Sequence, residues 1–360
     1  MRALLKWLHL WIGLTAGLVF AVLGLTGTVL AYQAELLRAT APQLAVTADA
    51  ARHDARVLDA LVARGDVASA DLPRAALPVW QAYAKEGRRL YLHPDDGRVL
   101  LERTSANDWL LWIRELHTHL LAGKNGEAVL GVVGVVVLFL LVTGVYLWWP
   151  RRGAWLESLR WHAQPPLRRW LSWHRSLGAL AVPMVLTLAI TGTLLVYDAF
   201  ARSSLRFAFG DGPEPKPPAT IPPDAARRID WDAVLKAAQA ALPDAELRRV
   251  SLPRKDNALV AIRARQPAEW HPVGRSTVWV DPYTAQVTGV LDATRQETGL
   301  RVNYAIYPVH MGGVGGEAYR TLVALAGLVP SVLVVTGFLF WRRRKARRAA
   351  PVVRVSHETA

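Results

Sequence analysis

The chain has 360 residues, 52 % hydrophobic and only 20 % charged, with a formal net charge of +14 and no cysteine. Without a sulfur ligand or leaving group, thiolate iron–sulfur clusters, structural thiolate zinc, a cysteine nucleophile, covalent c-type haem and disulfides are all excluded. The basic excess does not point to nucleic acid, because the arginines flank apolar runs.

Four apolar stretches, about 8–32, 129–149, 176–197 and 322–341, each reach the ~20 residues a helix needs to cross a hydrocarbon core. The first follows Arg2 and Lys6, but its apolar run of about 24 residues exceeds the ~7–15 of a secretory signal core, so it is expected to be retained. The chain then divides into a first span at 7–34, an outer segment at 35–106, an interfacial helix and second span at 107–149, and a loop at 150–169. A third span at 170–199, a second outer segment at 200–309, a fourth span at 310–341 and a basic tail at 342–360 complete it. Arg151, Arg152, Arg160, Arg168 and Arg169 precede the third span, and Arg342, Arg343, Arg344, Lys345, Arg347 and Arg348 follow the fourth. Positive residues stay inside, which places both termini and the short loop in the cytoplasm and the two long segments outside; the basic tail also suits anionic lipid.

Within the outer segments, residues 55–64 and 231–241 carry apolar positions at helical spacing, while 89–101 and 277–291 are turn-bounded and rich in Val, Tyr and Leu. Each outer module is therefore predicted as a helix followed by strands. The run 109–121, after a cap at Asn107 or Asp108, reads as an interfacial amphipathic helix, and the Pro-rich link 212–223 should be extended.

The spans repeat. His9, Gly13, Thr26 and Tyr32 fall on His174, Gly178, Thr191 and Tyr197 at an offset of 165. His117, Gly134, Thr143, Gly144 and Trp148 fall on His310, Gly327, Thr336, Gly337 and Trp341 at 193, and a strand-and-turn segment at 90–94 matches 278–282 at 188. The fold expected is a membrane α-helical, four-span bundle from an internal duplication, with two extracytoplasmic α+β domains.

Four of the ten histidines recur as two duplicated pairs beside the spans, where an ionisable group is costly and tends to be kept for a job. Topology puts His9 and His174 near the inner face and His117 and His310 near the outer one. Zinc wants a third or fourth ligand, whereas a haem needs two axial ligands on opposite faces of one macrocycle, and helix bundles build such sites from facing side chains. Gly27 and Gly192 return to the helix faces of His9 and His174, and Gly13 and Gly178 flank the same stripe, so these small residues leave room for a flat macrocycle or serve ordinary helix packing. The alignment favours His117 as the outer ligand, with His119, about 200° away on the helix, as the alternative. His53, His93, His271 and His357 read as solvated, and His162 as a loop or headgroup-facing residue. The Gly-rich run 311–316 lacks the strand and acidic spacing of a nucleotide loop and reads as room beside a haem or a helix break.

The stretches KWLHLWIGL (6–14), Leu116-His117, WHRSLG (173–178) and Val309-His310 resemble the PepSY-associated transmembrane family, and within it the iron-regulated membrane proteins and ferrisiderophore reductases of bacterial inner membranes, over nearly the whole chain. The resemblance implies PepSY-like outer domains, two b-type haems and reduction of a periplasmic ferric siderophore. The electron donor it implies is a separate cytoplasmic reductase or a membrane quinol, since no flavin domain is present. Arg114, Lys124 and Arg301 near the outer face are candidates for attracting an anionic chelate. The competing expectation is a non-enzymatic, membrane-anchored PepSY module that binds or restrains a periplasmic protease or envelope partner.

Overall fold

A computed structural model describes residues 1–46, 54–213, 215–224 and 226–349. Among the described residues, four helices are long and apolar enough to cross a membrane: α1 (Arg2–Ala31), α5 (Gly123–Trp148), α7 (Pro166–Val196) and α11 (Gly316–Ala349), in an order completed by the shorter helices below. Their outward faces carry apolar residues at three- and four-residue spacing, such as Leu18, Val22 and Leu25 on α1 and Val132, Val135, Phe139 and Val142 on α5. These residues are exposed because lipid, not protein, is their solvent.

With no hydrophobic drive between helices inside lipid, close packing must hold the bundle, and small residues supply it. The closest crossing is between α1 and α11. A Cβ added at Gly24 would stand 2.2 Å from the Gly327 carbonyl oxygen, and one at Gly327 2.6 Å from the Gly24 oxygen. The Thr28 hydroxyl donates across the same crossing to the Ala324 carbonyl at 2.7 Å. The corresponding crossing of α5 with α7 sets Gly134 against Thr193, where an added Cβ would stand 2.4 Å from the hydroxyl oxygen.

The outer segments begin with α2 (Gln33–Thr40) and α3 (Asp54–Arg64), followed by β1 (Val67–Asp71), β2 (Trp80–Ala84), β3 (Arg89–Leu92) and β4 (Val99–Arg103). Helix α4 (Trp109–His119) leads into α5, and α6 (Trp155–Ser158) lies in the short loop. After α7 come α8 (Asp198–Phe209), α9 (Trp231–Ala241), β5 (Glu246–Ser251), β6 (Val260–Arg265), β7 (Ser276–Val280), β8 (Val287–Leu291) and α10 (Thr298–His310), which leads into α11. The predicted helices at 55–64 and 231–241 are α3 and α9, and the predicted strand regions are β3–β4 and β7–β8. The sequence reading missed β1, β2, β5 and β6, which are short and carry Ala, Ser or Arg at positions where alternation would need large apolar residues.

The two outer segments form one antiparallel sheet in the order β4-β3-β2-β1-β5-β6-β7-β8. The seam is the β1–β5 pairing, which sets Ala70 opposite Val250 and Asp71 opposite Arg249. On one face α3 and α9 bury Val57, Leu58, Leu61, Trp231 and Val234 against Trp80, Leu90, Val250, Ile262 and Val278. The Trp231 indole N–H donates to Asp59 at 2.9 Å, tying α9 to α3 across the seam. The opposite face looks toward the helix ends, where Tyr91 packs with Leu110 and with Val29 and Leu30 of α1.

Gly24→Ala forces a methyl into the Gly327 carbonyl and is expected to cost about 1–3 kcal/mol. Gly17→Ala, whose Cβ would meet Val334 at an ordinary 3.5 Å, is the control. Thermal unfolding midpoints in one detergent should fall for Gly24→Ala alone; equal midpoints would mean the crossing is loose.

Candidate functional site

Each pair of histidines matched by a constant sequence offset comes together. The ring centres of His9 and His174 are 6.3 Å apart with planes at 90°, and those of His117 and His310 are 6.3 Å apart with planes at 46°. His9 and His174 lie on α1 and α7 themselves, whereas His117 and His310 end α4 and α10, just before the chain turns into α5 and α11. Helix α4 is aimed by its cap. The Asp108 carboxylate accepts the Leu111 N–H at 2.8 Å and takes the buried Arg103 guanidinium at 2.6 and 2.7 Å, which pins the helix start to β4. On α10 the Leu300 N–H donates to Asp211 at 3.0 Å, which ties that helix to the end of α8.

Every ring is oriented through Nδ1. His9 meets the Thr143 hydroxyl at 3.0 Å, His117 meets Thr26 at 2.9 Å, and His310 meets Thr191 at 3.0 Å. His174 meets the Leu333 carbonyl at 3.0 Å and Thr336 at 3.4 Å. Each threonine proton is already directed at a carbonyl of its own helix: Thr26 to Val22 at 2.8 Å, Thr191 to Thr187 at 2.7 Å, Thr336 to Val332 at 2.7 Å and Thr143 to Leu140 at 3.0 Å. A carbonyl has no proton to give, so at His174 the Nδ1–H is the donor to Leu333; at the other three rings the backbone contact of each threonine hydroxyl favours the same direction. In that tautomer Nε2, with its lone pair, is the free nitrogen of the ring.

The glycine after each threonine makes room for the ring. A Cβ at Gly27 would stand 3.2 Å from His117 Cε1, at Gly192 3.0 Å from His310, at Gly144 3.3 Å from His9 and at Gly337 3.3 Å from His174. The inner-face placement expected for Gly27 and Gly192 is thus corrected. They share a helix face with His9 and His174 but lie 18 residues further on, about 27 Å at helical rise, and so sit beside the outer pair. Gly144 and Gly337 take that place at the inner pair. Gly13 has nothing within 4 Å of an added Cβ, whereas one at Gly178 would be in ordinary contact with Leu333 at 3.7 Å, so only Gly13 faces open space. The threonines were not singled out as site residues, although the signal was available: Thr-Gly occurs once in each of the four spans.

His119 is turned away from the pair, with Nδ1 2.8 Å from Thr118 and 3.3 Å from the Glu115 carboxylate. The run 311–316 is a helix break, with Gly312, Gly315 and Gly316 at positive φ. His93 is not solvated as expected. Its Nδ1 accepts the Asp95 N–H at 3.3 Å, the same turn contact that Asp281 makes to Tyr283 at 2.8 Å in the second half. His162, on the loop, donates its backbone N–H to Ser172 at 3.0 Å. His53 and His357 lie outside the described residues.

His271 also departs from the solvated reading. It stacks on Tyr307 with ring centres 5.2 Å apart, and its Nδ1 accepts the Val273 N–H at 3.2 Å. Burial, followed by repulsion from Arg275, Arg263, Arg249 and Arg265, pushes its pKa from 6.5 down to about 3. The unfolded chain therefore takes up this proton first, and the stability the neutral ring contributes erodes as pH falls from 6.5 toward about 3. In a ring-proton NMR titration His271 is expected to stay neutral at pH 5; an ordinary midpoint near 6.5 would show that the ring is solvated.

No curated protein matches the chain. The family described as the PepSY-associated TM region matches it over residues 6–344, a range that takes in all four crossing helices up to the basic end of α11 together with the sheet. This chain is a multi-pass membrane protein that belongs to the PepSY-associated TM region family.

Proposed function

We propose that the chain is a di-haem b oxidoreductase of the bacterial inner membrane, made of a duplicated unit with its termini in the cytoplasm. It carries electrons from a cytoplasmic reductase or a membrane quinol to a periplasmic ferric siderophore, one electron reducing each ferric ion to the weakly chelated ferrous state. The observation that carries this reading is the pair of opposed imidazoles, found twice, with Nδ1–H engaged and Nε2 free. Two imidazoles bound on opposite sides of one metal have ring centres about 6.3 Å apart, from two metal–nitrogen bonds of about 2 Å and a ring radius of about 1.1 Å. Both pairs match that spacing at 6.3 Å. Among the described residues no group of three or more His, Asp or Glu side chains converges as zinc would use, so the donor sets suit a centre that brings its own equatorial ligands.

Haem, when bound, supplies a reversible one-electron iron couple. The chain's residues do the rest. Thr26, Thr143, Thr191 and Thr336 fix ring tautomer and orientation, as outer partners of ligating histidines do. Gly27, Gly144, Gly192 and Gly337 let the rings approach the helices, and Gly13, one turn from His9, faces open space. Thr26 lies 17 residues beyond His9, about 26 Å along α1, so the two pairs stand near opposite faces of a ~30 Å hydrocarbon core. The arginines of 150–169 and 342–349 support placing the inner pair on the cytoplasmic side.

Protein purified from membranes is expected to show a Soret band, a redox-sensitive α-band and two haems per chain. His9→Ala, His174→Ala, His117→Ala and His310→Ala should each leave about one, and His119→Ala should leave two. Protein without a Soret band, made with haem in ample supply, would sink the reading.

A further inference from the structure

The sheet face turned toward the helix ends concentrates positive charge. Side chains alternate along a strand, so with Ala70, Ala82, Leu90, Val250 and Ile262 in the core, their neighbours Asp71, Tyr83, Arg89, Arg249 and Arg263 point the other way. The register sets Arg249 directly opposite Arg263, and Arg89 directly opposite Arg103. Like charges in cross-strand pairs destabilise a sheet, so a fold that keeps two such pairs on one face carries a cost there.

The compensation is partial. Arg249 is met by Asp71 at 3.1 Å and Arg103 by Asp108 at 2.6 Å. Arg89 has the Tyr83 ring, 5.5 Å away, and no carboxylate at ion-pair distance among the described residues. Arg263 likewise has none, and the buried Nε of Arg275 has no hydrogen-bond partner, although the Asp198 carboxylate acts on the Arg275 charge. Burial and then the neighbouring guanidinium groups, Arg114 for Arg89 and Arg275 for Arg263, hold both pKa values below the ordinary arginine value.

The cluster also has a definite place. Arg275 lies 5.7 Å from the ring centre of Tyr304, and His271 stacks on Tyr307, both on α10; Arg89 feels Arg114 on α4. Arg114 and Tyr307 each stand three residues, one helical turn, before His117 and His310. The charge of Arg263 and Arg275 therefore lies between the sheet and α10, one turn before His310.

We infer that this face is a binding site for a polyanion with several carboxylate or catecholate oxygens, held by Arg263 and Arg275 about one helical turn from His310. Guanidinium forks bind such oxygens bidentately, and a ligand's negative charge relieves the repulsion among the Arg249, Arg263 and Arg275 guanidinium groups. Resting on the proposed function, the polyanion is the iron chelate, and the site selects anionic chelates over neutral or cationic trihydroxamates.

The test uses the full-length protein in phosphatidylcholine nanodiscs with redox-inert gallium chelates, followed by calorimetry. Gallium citrate is expected to bind at least about ten-fold more tightly than a cationic gallium trihydroxamate. Arg263→Gln and Arg275→Gln should each weaken citrate by about ten-fold, and Arg263→Lys by less. Equal binding of the two chelates by the wild type, which needs no variant, overturns the proposal. So does citrate binding that both glutamine variants leave unchanged, or a site that phosphatidylglycerol in the disc fills and citrate does not, which would make it a lipid-headgroup site. Gallium accepts no electron here, so a protein without a Soret band that still binds citrate sinks the oxidoreductase reading and leaves this one standing; the reverse result does the opposite.

Discussion

An imidazole placed among apolar helices must satisfy its N–H or forfeit the desolvation energy of that group, and this constraint organises the membrane part of the chain. Three of the four rings find the same answer, and the His174 ring adds the Leu333 carbonyl as its nearer partner. A threonine on a neighbouring helix spends its own proton on its backbone and offers the hydroxyl oxygen, the next residue is a glycine that lets the ring come close, and Nε2 is left free. Each seat is supplied from the same half of the chain as its histidine: Thr26 and Thr143 serve His117 and His9, and Thr191 and Thr336 serve His310 and His174. The pairs form only where the halves meet. A ring's orientation is thus local to one half, while the 6.3 Å spacing belongs to their packing.

That packing is set twice, once in the bundle and once outside it. In the bundle, α1 crosses α11 and α5 crosses α7 at glycines, so the first span of each half lies against the second span of the other. Outside it, the β1–β5 seam welds eight strands into one sheet, and the Asp71–Arg249 ion pair bridges the seam on the face toward the membrane. The sheet in turn positions the outer histidines, because Arg103 of β4 holds the Asp108 cap from which α4 runs to His117. A rigid exterior is therefore continuous with the outer pair, whereas the inner pair depends on the spans alone.

Much of this was legible in the residues. Four apolar runs of spanning length marked the spans, constant offsets paired the histidines, and helical periodicity found α3, α9 and α4, with the cap of α4 narrowed to Asn107 or Asp108. These are short-range properties: hydrophobic period, capping chemistry and self-similarity are written along the chain. The Thr-Gly seats were equally visible in the sequence, but nothing local says that Thr26 answers His117 and not His9.

What only the tertiary structure decided are the relations between distant segments. Helical periodicity reports an angle and not a depth, which is why Gly27 and Gly192 shared a face with the inner histidines and belong beside the outer ones. Edge pairing of β1 with β5 rests on backbone hydrogen bonds that any side chains permit, so two modules in the sequence became one sheet. Pairing of β5, β6 and β7 likewise gathered Arg249, Arg263 and Arg275 and turned His271 from a surface residue into a ring held neutral among guanidinium groups. Charge adds up through space while sequence orders it along one line, so the field beside α10 exists only once the chain has folded.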